Sequence, residues 1–139
     1  MGLFSMLGQM KKRVATNVTK EQIVDIDGTG EFKIDIVGES HYQNTLNNIT
    51  GGKTPEGHNI EINALLFYDD DNPYDNKAVA VTIAGDIVGY LDRDIARQYR
   101  KQMKEGGFEG NPGACKALIV GGWDRGNDDE GHYGVRLDI

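Results

Sequence analysis

The chain is short of the residues that mark several common classes of protein. A single cysteine, Cys115, stands among 139 residues, so no internal disulfide can form and the fold must be held by burial and hydrogen bonding. That usage fits a reducing compartment, and a cytoplasmic location is expected. The three histidines, His41, His58 and His132, share no metal-ligand spacing with one another or with Cys115, so no metal or other cofactor is expected. No apolar run approaches the ~18 residues that span a bilayer. The opening Met1-Gly-Leu-Phe-Ser-Met-Leu7 lacks the positive leader and long apolar core of a secretory signal, and Met6 stands where a myristoylation signal wants Ser or Thr. No membrane partner is expected. Basic charge is also scarce, with 15 Lys and Arg against 22 Asp and Glu and a net charge of -7. Proteins that coat nucleic acid by counterion release carry the opposite balance. A nucleic-acid partner must therefore be met by a local site and not by the global field.

The length suits one domain with one core, and the mean hydropathy of -0.51 is that of an ordinary globule. Leu3, Leu7, Met10 and Val14 recur at helical spacing beside Lys11-Lys12-Arg13. Residues 1–20 therefore read as an amphipathic helical arm, which packs on the domain, docks a partner protein or lies on a surface. Residues 21–139 read as the domain. Phe32, Ile34 and Ile36 alternate with polar residues, which predicts a strand. Ser40 and Gln43 have the spacing of a capping box opening a helix that carries Tyr42, Leu46 and Ile49 on one face and closes at Gly51-Gly52. Strands are expected at Ile60–Tyr68, Ala78–Ile83, Ile87–Leu91, near Cys115–Trp123 and at Tyr133–Ile139. Asp69–Asn76 forms a turn, and Asp92 caps a second helix over Arg93–Glu105. About six short strands and two helices predict a mainly β fold, a small OB-like barrel.

Several motifs tempt and fail. Asp25-Ile-Asp-Gly-Thr-Gly-Glu-Phe32 opens like a calcium loop, but its twelfth position, which should supply a bidentate Glu, is Ile36. Gly51-Gly-Lys-Thr54 echoes a phosphate loop, yet Asn47 stands where the first glycine belongs. Cys115 lies in an apolar run, where a thiol is core more often than nucleophile. The run Asp69-Asp70-Asp71 reads as a solvated turn, because consecutive residues on extended chain point in different directions. No catalytic residues are assigned, and the chain is not expected to be an enzyme.

Two constellations remain. On the second helix Ile95, Ala96, Tyr99 and Met103 gather on one side, and Arg93, Arg97, Arg100 and Lys104 form a cationic stripe. That stripe is either a solvated face or a seat for a polyanion. The other constellation is a set of three ordered blocks. Ile36-Val-Gly-Glu-Ser-His-Tyr-Gln43, then Asp71-Asn-Pro-Tyr-Asp75 with Ala78-Val-Ala-Val81, then Val88-Gly-Tyr-Leu91 before an Arg-containing helix resemble the HIRAN domain. The resemblance covers residues 32 to about 105, and Gly121-Gly-Trp123 with Tyr133-Gly-Val135 is similar to the free-standing bacterial and phage type.

That family has an OB-like barrel and occurs alone or fused to helicase-like DNA translocases, where it grips the 3′-hydroxyl end of single-stranded DNA. The resemblance implies that Tyr74 and a residue of Ser40-His41-Tyr42 flank the terminal base and that Asp75 accepts a hydrogen bond from the terminal hydroxyl. It places Asn72, Tyr90 and Arg93 at the pocket or on phosphate. The chain departs from the DNA-binding relative in reading Ser40-His41 for an Arg-Tyr step and Tyr90 for a His. Aromatic stacking is worth ~1–3 kcal/mol per base whatever the sequence, and a carboxylate favours a hydroxyl over a terminal phosphate. The expected function is therefore a non-catalytic module for 3′-hydroxyl ends of single-stranded DNA, in DNA repair or replication-fork processing. Its expected site residues are His41, Tyr42, Asn72, Tyr74, Asp75, Tyr90, Arg93 and Arg97, the two arginines on phosphates. The alternative is a protein adaptor that binds no nucleic acid.

Overall fold

Side chains on a strand point alternately to the two faces, so a sheet with one continuous apolar face curls around it. The computed structural model describes the backbone of residues 11–14 and the whole of residues 22–139. The elements run β1 (Lys11–Val14), β2 (Gln22–Asp25), β3 (Ile34–Asp35), α1 (Gln43–Thr50), β4 (His58–Asp69), β5 (Ala78–Ile83), β6 (Asp86–Tyr90), α2 (Arg93–Glu105), β7 (Gly113–Gly121) and β8 (Tyr133–Asp138). The fold is mainly β, a small curled OB-like sheet with two helices.

Strand β7 is the hub. It pairs antiparallel with β4 from Gly113↔Leu66 to Gly121↔His58, antiparallel with β8, and in parallel with β2 at Val24 and Asp25. Beyond β4 come β5 and then β6; beyond β8 comes β3. A single bridge then carries the sheet round on itself. Val37 N donates to Tyr90 O at 2.8 Å, and Tyr90 N returns to Val37 O at 2.9 Å. The closure depends on a residue without a side chain: a Cβ on Gly89 would lie 2.7 Å from Val37 O and 2.6 Å from Ile36 Cδ1. The Val-Gly-Tyr-Leu block thus has a local logic, with Val88 and Leu91 buried, Gly89 at the seam and Tyr90 beside it.

The core fills the curl. Val79, Val81 and Ile83 of β5 meet Leu66, Ile119, Val135 and Leu137 in one buried cluster. The amphipathic helix α2 closes one side with Ala96, Tyr99 and Met103, and Tyr99 meets Tyr68 edge to face at 6.4 Å. Asp92 caps that helix, accepting from Asp94 N at 3.2 Å, and it ends at Gly106 as its sequence predicts.

Four expectations are corrected. Lys11–Val14 pairs with Gln22–Asp25 as an edge strand and is not part of a helical arm over residues 1–20, because a neighbouring strand offers backbone partners that outweigh local periodicity; the rest of the expected arm lies outside the described residues. With β2, this raises the strand count from about six to eight among the described residues. The first sheet strand shrinks to Ile34–Asp35, since Phe32 takes a positive φ of 48°, placing its N–H toward the Asp138 carboxylate. No capping box forms: a short 3-10 turn occupies Glu39–His41, and α1 starts at Gln43. Gln43 instead ties the helix to the sheet, its Oε1 accepting from Tyr133 N at 2.8 Å and its Nε2 donating to Tyr133 O at 3.0 Å.

Gly89→Ala is expected to lower unfolding stability by about 1–3 kcal/mol through overpacking at the seam. Gly134→Ala, whose Cβ would meet Val120 Cγ2 at an ordinary 3.4 Å, is the control. Urea titrations read both, and equal midpoints would remove the seam from the account.

Candidate functional site

The β4–β5 loop is built by one side chain. Asn72 Oδ1 accepts from the backbone N–H groups of Tyr74 at 2.9 Å and Asp75 at 3.1 Å, the local turn that Asn favours. Pro73 between them fixes the turn, and Tyr74 is thrown outward, 88% exposed. A phenol so placed has nothing of its own fold to pack against.

Helix α2 clamps this loop with three arginines spaced four and three residues apart. Arg97 forks onto Asp75, Nη1 to Oδ2 and Nη2 to Oδ1 at 3.0 Å each. Arg93 gives Nη2 to Tyr74 O at 3.1 Å, and its Nε stands 3.6 Å from Asp75 Oδ2. Arg100 donates to Asp70 Oδ1 at 2.8 Å and to Ala78 O at 2.7 Å, with its guanidinium 4.1 Å over the Tyr68 ring. The stripe that local spacing leaves self-repelling is thus offset from across the fold by Asp70 and Asp75. Arg97 and Arg100 are accordingly tied to the loop.

The paired fork matters for Asp75. The Arg97 hydrogen bonds first, then the Lys77 N–H and the Arg93 charge, lower its pKa to about 2. A carboxylate has about four lone-pair positions. Arg97 takes two and Lys77 N, at 3.0 Å from Oδ1, takes a third. One acceptor position remains on Oδ2, beside Arg93.

Behind the loop lies a cleft of about 630 Å³ lined by Val37, Gly38, His41, Tyr42, Asn72, Pro73, Tyr74, Asp75, Ala78, Tyr90, Leu91 and Arg93. Its volume is that of a small-ligand site. The cleft brings together seven of the eight residues expected from sequence: His41, Tyr42, Asn72, Tyr74, Asp75, Tyr90 and Arg93. Arg97 is the exception, since it grips Asp75 from the helix and does not line the cleft; its guanidinium is spent on positioning the acid. Tyr90 donates its hydroxyl to Asp69 Oδ2 at 3.0 Å, and burial, this carboxylate and the neighbouring Tyr42 hydroxyl push its pKa up.

Besides Gly38, Pro73 and Leu91, three contributors lie beyond the site residues expected from sequence. Val37, 42% exposed, hides in the strand pattern. Ala78 lines the cleft while Val79 and Val81 fill the core, so the alternation of small and branched residues in Ala-Val-Ala-Val was its available signal. Asp69 is the first of three aspartates that read as solvated, and nothing local separates it from Asp70 and Asp71. It is the register of β4 against β5, Asp69↔Ala78, that sets it near Tyr90.

The other tempting motifs resolve into structure. The calcium-like segment closes on an internal carboxylate: Gly30 N donates to Asp138 Oδ1 and Oδ2 at 2.9 and 3.0 Å. Cys115 is buried, and burial pushes its thiol up to about 12. Among the described residues no group of three His, Cys, Asp or Glu is placed to hold a metal ion, and no helix is long and apolar enough to cross a membrane.

No family model and no curated protein matches the chain. A crystal structure of a protein from Lactobacillus plantarum is similar to it at 18% identity, over 76% of this chain and 91% of that one, with a TM-score of 0.39. A score that low carries no argument about function.

Because Asp75 is held below its ordinary 3.8, its ion pair stabilises the fold above that value, and the stabilisation is lost as pH falls toward 2. Acid unfolding of the Asp75→Asn variant should therefore show a shallower loss of stability below pH ~4 than the parent. A second check concerns Cys115. The native thiol should resist a disulfide reagent at about pH 8 and react fully once denaturant unfolds the chain.

Proposed function

We propose that the cleft holds the 3′-hydroxyl end of single-stranded DNA, the activity of the HIRAN domains that the three sequence blocks resemble, and that the chain serves DNA repair or replication-fork processing as a binding module. The observation that carries this reading is the pairing of Tyr74, exposed at the mouth, with Asp75, ionised and left with one open acceptor position. The phenol offers a stacking surface to any base. The acid takes one hydrogen bond from a terminal hydroxyl and repels a terminal phosphate. Tyr42 and His41 supply the opposite, aromatic wall. Arg93, mostly exposed and with most of its donors unspent, is left to meet the phosphate that follows. With Arg97 and Arg100 committed internally, few phosphates are neutralised, which suits a chain of net charge -7. Affinity then comes from the terminal nucleotide and falls only gently with salt.

A protein partner is the second reading. It is favoured by the exposure of Val37 and Tyr74, at 42% and 88%, on one cleft.

Fluorescence anisotropy with a labelled oligonucleotide separates the two. Binding is expected to be much tighter for a 3′-hydroxyl than for a 3′-phosphate end. Tyr74→Ala should weaken it about ten-fold or more, and Asp75→Asn should erase the discrimination between ends. Equal affinity for both ends would defeat the proposal. Failure of every oligonucleotide to bind, with retention of a peptide or protein at the same cleft, would establish the second reading.

A further inference from the structure

The inner wall of the cleft is one hydrogen-bonded row whose proton order can be worked out. Asn72 Oδ1 accepts two backbone N–H groups, so its amide nitrogen must be the end that faces Asp69, and Nδ2 lies 3.2 Å from Asp69 Oδ2. The same oxygen takes the Tyr90 hydroxyl at 3.0 Å. An ionised carboxylate only accepts, so both neighbours must donate to it. The single proton of Tyr90 is thereby committed to Asp69, and its oxygen is left to accept from the neighbouring Tyr42 hydroxyl, whose own oxygen keeps its lone pairs for the cleft. At the other end of the row, Asp75 also presents only an acceptor.

From this order we infer that Asp69 is a positioning residue that fixes the proton order along Tyr90 and Tyr42, so that this stretch of the cleft wall presents an acceptor and the site prefers a strand end bringing a second hydrogen-bond donor besides its 3′ hydroxyl. The inference rests on the strand-end reading above and adds a selectivity that Tyr74 and Asp75 alone do not provide. On a terminal nucleotide such a donor is an N–H of the base, an exocyclic amine above all, or the 2′ hydroxyl of a ribose. A ligand that offers an acceptor or a carbon there leaves the hydroxyl oxygen at the end of this row unpaired, and an acceptor covered without a partner costs affinity.

The test uses the full chain and labelled oligonucleotides that all end in a 3′ hydroxyl and differ only in the last nucleotide. That nucleotide is deoxypurine with no exocyclic amine, deoxyadenosine, or the ribonucleotide of the amine-free purine. At least one of the latter two should bind roughly three- to ten-fold tighter than the first, the value of one added hydrogen bond, and which one does so identifies the source of the donor. Asp69→Asn should collapse this preference while leaving the choice of 3′ hydroxyl over 3′ phosphate in place, because Asp75 keeps its Arg97 fork. Tyr90→Phe, which removes the oxygen and keeps the ring, should do the same, and it serves where Asp69→Asn folds poorly by circular dichroism. A merely structural Asp69 would weaken all ends alike and preserve their ratio. Equal binding of the three ends, or a preference unchanged in both variants, overturns the inference while the strand-end reading stands. Failure of every end to bind overturns that reading, and this inference with it.

Discussion

The fork of Arg97 on Asp75 is the contact on which the rest of the site depends. It links the first long helix surface after β6 to the loop between β4 and β5, two segments that share no strand pairing. Without a cation behind it, Asp75 would sit beside Asp70 and Asp71 in a loop of like charges that repel and splay. With it, the loop is drawn onto α2, Tyr74 is set at the mouth of the cleft, and the acid keeps one oxygen position open. Exposed ion pairs contribute little singly, but this one has bidentate geometry and two flanking arginines that hold the backbone carbonyls of Tyr74 in the loop and of Ala78 where β5 begins. Its consequence is positional more than energetic.

A second constraint sets the other wall. The Gly38–Tyr42 segment can face the loop only because Val37 is stitched to Tyr90, and that stitch is possible only because Gly89 has no side chain to block it. The cleft is therefore the gap left where the sheet closes on itself by a single bridge. Its floor is kept open by Ala78, while the branched residues that alternate with it fill the core. Closure and cleft thus depend on Gly89, Tyr90 and Ala78, while Val79, Val81 and Val88 of the same two strands fill the core.

Charge in this molecule works locally. A net charge of -7 argues against a polyanion-binding surface, and the structure removes two more cations from service by pairing Arg97 and Arg100 with the β4–β5 loop. What remains is a small site with aromatic walls, an ionised acceptor and Arg93 at its edge. Under the proposed reading such a site would take one end group and not a long phosphate track, which is the sense in which an acidic chain and a nucleic-acid end would be compatible.

Much of this was legible along the chain. Strand alternation located β4 to β8, Asp92 and Gly106 bounded α2 almost to the residue, and the turn chemistry of Asn72-Pro73 was visible because it acts over three residues. Seven of the eight expected site residues share the cleft, because the motif blocks carry both the turn and the seam. Tertiary structure alone decided the rest. Lys11–Val14 became a strand because a neighbour supplied backbone partners; Arg97 turned inward because Asp75 lies 22 positions away in sequence and 3.0 Å away in space; and Asp69 differs from its two neighbours only through strand register. Periodicity and caps report short-range interactions, which a sequence displays directly. Pairing across the fold depends on which segments meet, and no window of neighbouring residues contains that information.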